Sequence, residues 1–265
     1  MLPSFELFGK EISMYALMSI IGLLVAGFVF CRRIARAGQD DNEALLFLLV
    51  LGVGMLIGGH LLFALTNLRF FPLLAQARTW SQTLSVLGAL FGGMVFYGGL
   101  IGAYVLGLCY VRWRKLDKVL YMDSAALFAP LFHGFARVGC FFGGCCFGIE
   151  SPFGFCAVGN TLTDIGEVRR FPVQLLEAVM NLAIAALILW ILKKGFLRGH
   201  VFYLYLLLYA FVRFFDEFLR GDAIRGFIFG MSTSQFISIP VALFAGGMLL
   251  TYARRRRAAR PSVLP

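Results

Sequence analysis

Charge is scarce in this chain: only 14% of its 265 residues are Asp, Glu, Lys or Arg, against 60% that are apolar. So little polar surface excludes a water-soluble globular protein and puts the chain in a bilayer. Long polar stretches are missing as well. The longest, about 149–171, can form only a small external cap, so a hidden soluble domain is excluded. The chain has no low-complexity tract and no tandem repeat with a period of about 20 to 50 residues, which removes solenoid architectures. The six cysteines lack the C-x2-C pairs of a zinc knuckle. The first apolar run follows Glu6, Lys10 and Glu11 rather than a basic stretch and has no small-residue cleavage site, so it is expected to stay as a permanent span rather than leave as a signal peptide.

What is present is a series of apolar runs of spanning length, about 12–31, 44–66, 84–111, 119–142, 172–192, 200–219 and 227–253. Basic clusters follow every second one: Arg32, Arg33 and Arg36; Arg112, Arg114, Lys115 and Lys118; Lys193, Lys194 and Arg198; and Arg254 to Arg257 with Arg260. Fifteen of the 24 Lys and Arg residues then fall on one side, with four of the 14 acids, Asp40, Asp41, Glu43 and Asp117. By the positive-inside rule that side is the cytoplasm. The expectation is a single polytopic domain over 1–265, an all-α integral membrane protein of about seven transmembrane helices. Its N-terminus lies outside and its C-terminus is cytoplasmic. Topology thus accounts for the net charge of +10, and no nucleic-acid partner is expected. The loop around Asn67 to Gln82, with Trp80 and arginines, can lie along the interface. The pairs Gly54 with Gly58, Gly88 with Gly92, Gly98 with Gly102 and Gly144 with Gly148 predict close helix packing.

The few polar groups inside the spans carry the chemical information. Arg137 sits in an apolar, aromatic and glycine-rich run, and a cation at membrane depth is costly enough that its default reading is functional. His133 lies four residues earlier on the same face and can be a base or an interhelical strut. In the sixth span Tyr209, Arg213, Asp216 or Glu217, and Arg220 recur at three- and four-residue spacing, placing a phenol, two guanidinium groups and a carboxylate on one face. Such a face suits phosphate, because a guanidinium stays charged and donates two parallel hydrogen bonds. A structural ion pair, or snorkelling of Arg220 near a span end, is the alternative. Gln174, Glu177 and Asn181 stripe the fifth span, where Glu177 is expected to be paired or protonated and to serve interhelical structure. Cys140, Cys145, Cys146 and Cys156 admit a structural disulfide or packing thiols, a redox dithiol, or a metal centre.

These residues also carry a family resemblance. Gly92-Gly93-Met94-Val95-Phe96-Tyr97-Gly98-Gly99-Leu100-Ile101-Gly102 resembles the GG-x-x-F-H-GG-x-x-G element of bacterial prolipoprotein diacylglyceryl transferases. Asp123, Pro130 and the run from Arg137 to Gly148 resemble that family's D-x6-P and G-R-x-G-N-F-x-N-x-E-x-x-G elements. Pro172, Gln174, Leu175 and Glu177 are similar to its H-P-x-Q-L-Y-E, and Tyr209, Arg213, Phe214, Glu217 and Arg220 to its Y-G-x-x-R-F-x-x-E-x-x-R. Tyr15 fits its early Y-G-L position. The pieces occur in the family's order over about residues 8–253.

The resemblance implies an enzyme of the bacterial inner membrane that moves the diacylglyceryl group of phosphatidylglycerol onto the lipobox cysteine of a lipoprotein precursor and releases glycerol phosphate. It needs no cofactor and no metal. A thiolate attacks a glyceryl carbon while a phosphate ester leaves, so the site needs cations at the phosphate and an acceptor for the thiol proton. Arg137 and Arg213 are the expected phosphate clamps, with Glu217 orienting Arg213. Arg220, Tyr209, Tyr15, Gly98, Gly99 and Gly148 join them as substrate-binding positions. Tyr97 stands where the family has histidine, and a phenol with an ordinary pKa of about 10 becomes a base at neutral pH only where cations lower it. His133 is the other candidate acceptor, from its spacing to Arg137. Cys140 and Cys145 replace the family's asparagine and glutamate, and His60 an arginine of its second span. A second reading is a redox or structural protein on the same scaffold, worked by the cysteines. A transporter fits less well, because the sequence shows no matching broken helices in two halves.

Overall fold

In the computed structural model the chain is described at residues 4–7, 10–156, 168–221, 227–228 and 230–258. Apolar runs fold as helices because hydrocarbon offers no partner to backbone N–H and C=O groups, so each span satisfies its own. The helices are α1 (Met14–Arg36), α2 (Asp41–Thr66), α3 (Pro72–Gln76), α4 (Trp80–Phe91), α5 (Phe96–Trp113), α6 (Lys118–Gly143), α7 (Val173–Lys194), α8 (Val201–Asp216) and α9 (Thr233–Ala258). Short 3-10 turns cover Leu68–Phe70 and Glu217–Leu219. The strands are minor: β1 (Ser4–Leu7) pairs with β2 (Lys10–Ser13), β3 (Glu150–Phe155) follows α6, and β4 (Phe227–Ile228) pairs with β5 (Met231–Ser232).

Five helices, α1, α2, α6, α7 and α9, are long and apolar enough to cross a membrane, and α4 with α5 makes a sixth crossing if they count as one span. Three sequence expectations are adjusted. The run 84–111 is not one straight helix, because α4 and α5 meet at a break with a bend of 85°. The run 200–219 is a 16-residue α-helix that tightens into a 3-10 turn. The last run begins with a short antiparallel pair of two-residue strands, and its helix starts only at Thr233. Residues 157–167 of the expected external cap lie outside the described residues. Its described parts are 149–156, which contains β3, and 168–171, and β3 is bridged to Arg170 at Glu150 and Phe155.

The chain divides into two compact units, Cys31–Met122 and the remainder, Met1–Phe30 with Asp123–Pro265. Within Cys31–Met122, α2 and α5 are pressed backbone to backbone. A Cβ on Gly102 would lie 2.1 Å from the Gly54 carbonyl oxygen, and one on Gly98 would lie 2.3 Å from that of Gly58. The Gly54/Gly58 and Gly98/Gly102 pairs are therefore the contact surface of that crossing, as expected, whereas Gly88 meets nothing within 4 Å and Gly92 only Gly88 of its own helix, so that pair makes no helix–helix contact. The Gly144 and Gly148 pair has a different use, described below. At the break between α4 and α5, His60 on α2 places Nδ1 2.7 Å from the Phe91 carbonyl and 2.8 Å from that of Gly93. The Val95 N–H donates to the Gly59 carbonyl at 3.1 Å. A neighbouring helix thus satisfies the backbone that the bend frees, the condition for irregular chain at membrane depth. Tyr97 follows immediately, buried in the first turn of α5.

In the other unit α7, α8 and α9 pack in sequence order. Tyr205, Tyr209, Arg213 and Asp216 form the buried stripe of α8. On α6, Gly134 meets Leu182 of α7, while Gly139 admits the backbone of Tyr15 on α1.

Candidate anion site

The buried polar groups of this second unit converge on one carboxylate. Glu177 on α7 is fully buried, and its Oε1 lies 2.8 Å from Nη2 of Arg137 on α6. Its Oε2 faces Nη1 of Arg220 at 4.0 Å. The guanidinium groups of two elements distant in sequence are thus gathered on one side chain of a third. Arg213 also acts electrostatically on Glu177. The Arg213 side chain is only 4% exposed, and its Nη2 pairs with Glu217 Oε2 at 2.5 Å, one helical turn on. The same nitrogen donates to Ser234 Oγ of α9 at 2.8 Å. Its Nη1 is buried and has no hydrogen-bond partner among the described residues.

His133 supports this arrangement. The Nε–H of Arg137 donates to His133 Nε2 at 3.1 Å. That bond makes Nε2 an acceptor and leaves the imidazole proton on Nδ1, so the ring is neutral and aims the guanidinium. The Tyr209 ring lies 5.4 Å from the imidazole, centroid to centroid. Farther along α7, Asn181 donates its side-chain N–H to the Glu177 carbonyl at 2.8 Å.

Arg220 is placed by backbone pairing. The Ile149 N–H donates to the Leu219 carbonyl at 2.9 Å, the Gly221 N–H donates to that of Phe147 at 3.0 Å, and Gly148 bridges to Arg220. Gly148 is needed for clearance here, since a Cβ would lie 2.4 Å from the Phe171 carbonyl oxygen. Gly98 and Gly99 belong to the Cys31–Met122 unit, where both lie against α2.

The cysteines lie at the end of α6. The helix stops at Gly143, Gly144 turns left-handed with φ 68°, and the chain folds back over the last turn. Cys140, Cys145 and Cys146 then bring three sulfurs within 4.8 Å of one another. Among the described residues no cysteine is in a disulfide. Gln174 pins the loop by donating from Nε2 to the Cys145 carbonyl at 2.8 Å. The Cys140 and Cys145 thiols, with Arg137 and Arg220 adding positive charge, pull the Cys146 thiol below its ordinary range. Tyr15 lies beside this group, packed on α6 and within electrostatic reach of all three sulfurs.

The model of the family described as "Prolipoprotein diacylglyceryl transferase" matches residues 3–251. The chain belongs to that family. Among curated proteins it is similar to the phosphatidylglycerol--prolipoprotein diacylglyceryl transferase of Clostridium tetani, 30% identical over 237 residues that cover 89% of this chain and 91% of that protein. Its likeness to the Clostridium perfringens protein of that name numbered 2 is 32% over 252 residues, with 92% of each covered. With the Geobacter sulfurreducens protein it is 32% over 262 residues and 95% of each.

Of the residues expected from the sequence, Arg137, His133, Arg213, Glu217, Arg220 and Tyr209 are brought together in this family member, with Tyr15 and Gly148 on the flanking segments. Tyr97 lies in the Cys31–Met122 unit. Glu177 is paired between elements, as expected from the Gln174, Glu177 and Asn181 stripe, but its arginine partners lie far away along the chain and the stripe did not name them. Ser234 gave no signal, since a serine near a helix start is ordinary.

Proposed function

We propose that this family member transfers the diacylglyceryl group of phosphatidylglycerol to the cysteine thiol of a prolipoprotein, with the departing glycerol phosphate held by Arg137, Arg213 and Arg220. The observation that carries the site assignment is the gathering of buried guanidinium groups around Glu177, with a buried Nη1 of Arg213 still able to donate. The ion-paired residues of this cluster are three arginines and two glutamates, Glu177 and Glu217, and the buried carboxyl of Asp216 lies within electrostatic reach of the same arginines. Guanidinium groups already oriented by carboxylates need little reorganisation as charge builds on the leaving oxygen, which is where electrostatic catalysis gains most.

In the reaction the acceptor sulfur forms a bond to the glyceryl carbon that carries the phosphate. The bond from that carbon to the phosphate oxygen breaks, and its electron pair leaves with glycerol phosphate. The thiol proton passes to a base. His133 Nε2 is engaged by Arg137, so we assign His133 to positioning, and the assignment of the proton acceptor to Tyr97 rests on the family resemblance alone. The acceptor cysteine is that of a lipobox, and the enzyme resides in the bacterial cytoplasmic membrane. Seven crossings, with α8 and its 3-10 turn as the sixth, put the basic clusters inside and the N-terminus outside.

The test uses purified full-length protein with phosphatidylglycerol and a lipobox peptide carrying one cysteine, and seeks the thioether by mass. Wild type forms it, and Tyr97→Phe loses most of the activity. Arg213→Ala loses about 10² to 10³ in rate, the scale of removing one electrostatic donor. A wild type that forms no thioether beside a competent relative overturns the activity, and full activity in Arg213→Ala overturns the site.

A further inference from the structure

We propose that Cys140, Cys145 and Cys146 form an all-sulfur binding site for a soft monovalent d10 cation of the Cu(I) class, beside the anion site. The argument begins with the turn. Successive side chains of an extended chain point to opposite faces, so neighbouring cysteines cannot ordinarily reach one ion. Here Cys146 has a φ of 59°, a left-handed conformation unusual for a residue with a side chain. It follows left-handed Gly144. This double turn brings the Cys145 and Cys146 sulfurs to Cys140 in the last turn of α6, all within 4.8 Å of each other. Three thiolates bound to one ion at about 2.3 Å stand about 4 Å apart, so a small contraction completes the site. The Cys145 thiol now donates to the Cys140 carbonyl at 3.8 Å, a long contact that metal ligation can replace at small cost.

The surroundings favour a monovalent soft ion. Among the described residues no histidine or carboxylate joins the three sulfurs, so the donor set lacks the fourth ligand of a structural zinc site. Thiolate ligands select Cu(I) from harder ions. Each thiol that ligates releases its proton to solvent, so the loaded site, three thiolates and one monovalent cation, carries two negative charges. Arg137 and Arg220, paired with Glu177 beside this loop, offset part of that charge. The Gln174 hydrogen bond to the Cys145 carbonyl holds the loop in place.

The test needs no transfer activity. Detergent-purified full-length protein, reduced and anaerobic, is titrated with Cu(I) against a chromophoric Cu(I) chelator, and the loaded protein is examined by copper X-ray absorption. One Cu(I) per chain with a shell of three sulfurs is expected. Cys145→Ser and Cys146→Ser should each weaken binding by at least about 100-fold, which even the loss of an outer-shell partner can reach. Cys31→Ser and Cys109→Ser should leave it unchanged. A nitrogen or oxygen shell, Zn(II) bound in preference to Cu(I), or equal affinity in the Cys146→Ser protein would overturn the proposal. If either variant fails to fold, the absorption spectrum of the wild type decides alone.

Discussion

Removing Arg137 should damage this protein in two separable ways, and the Glu177 partnership allows them to be told apart. At an effective dielectric constant of about 20, unit charges at the observed 2.8 Å attract by about 6 kcal/mol, and the Arg220 pair at 4.0 Å by about 4 kcal/mol. Desolvation offsets much of this, and breaking a buried pair from one side costs about 3 to 5 kcal/mol, because the other charge is stranded. Arg137→Met should therefore lower the melting temperature in detergent by roughly 6 to 20 °C, taking about 2 to 4 °C per kcal/mol for a chain of this order of size. Adding Glu177→Gln neutralises a carboxylate left facing only Arg220 at 4.0 Å among its ion-pair arginines and should restore part of that loss. The coupling between the two positions should then exceed about 1 kcal/mol in a double-mutant cycle. Transfer to the lipobox peptide should behave differently, falling by about 10² to 10³ in Arg137→Met and staying low in the double variant. If the double variant regained transfer together with stability, Arg137 would be only a counter-ion to Glu177. Strictly additive melting temperatures would instead show that the two charges do not interact in the folded protein.

His133→Gln keeps an acceptor for the Arg137 Nε–H and should transfer within about tenfold of wild type, whereas His133→Leu should lose up to about 100-fold, the worth of a hydrogen bond to a charged group. Equal and near-total loss in both would return the proton-acceptor role to the imidazole. Gly102→Ala forces a Cβ to 2.1 Å from the Gly54 carbonyl and should destabilise by about 1 to 3 kcal/mol or more, while Gly52→Ala, with nothing within 4 Å, should stay within about 0.5 kcal/mol of wild type in thermal unfolding. Similar melting temperatures for the two would remove the backbone contact between α2 and α5. Reporter fusions after Leu116, Phe196 and Ala258 should read as cytoplasmic and one after Val168 as external, and any reversed site would break the assigned topology.

How far the sequence reaches depends on whether a residue's partners lie on its own helix. The α8 stripe could be read because Arg213 and Glu217 are one turn apart, and they are in contact in the folded chain. Glu177 looked like an interhelical strut because its partners, Arg137 and Arg220, are about forty residues away on either side, and no periodicity links a helix face to charges on others. The spacing of His133 and Arg137 gave their adjacency, but not the direction of the hydrogen bond, in which His133 Nε2 accepts and on which its proposed positioning role rests. Hydropathy failed at Gly92-Gly93 for a related reason. An 85° bend leaves the residues as apolar as before, and what permits it is His60, an acceptor-seeking N–H on another helix. Its position is one where family members carry arginine by resemblance, so a basic hydrogen-bond donor is kept where the chain breaks while its charge is not required. Carbonyl capping needs only an N–H, whereas holding a phosphate needs a permanent cation, and this chain retains arginine at Arg137, Arg213 and Arg220.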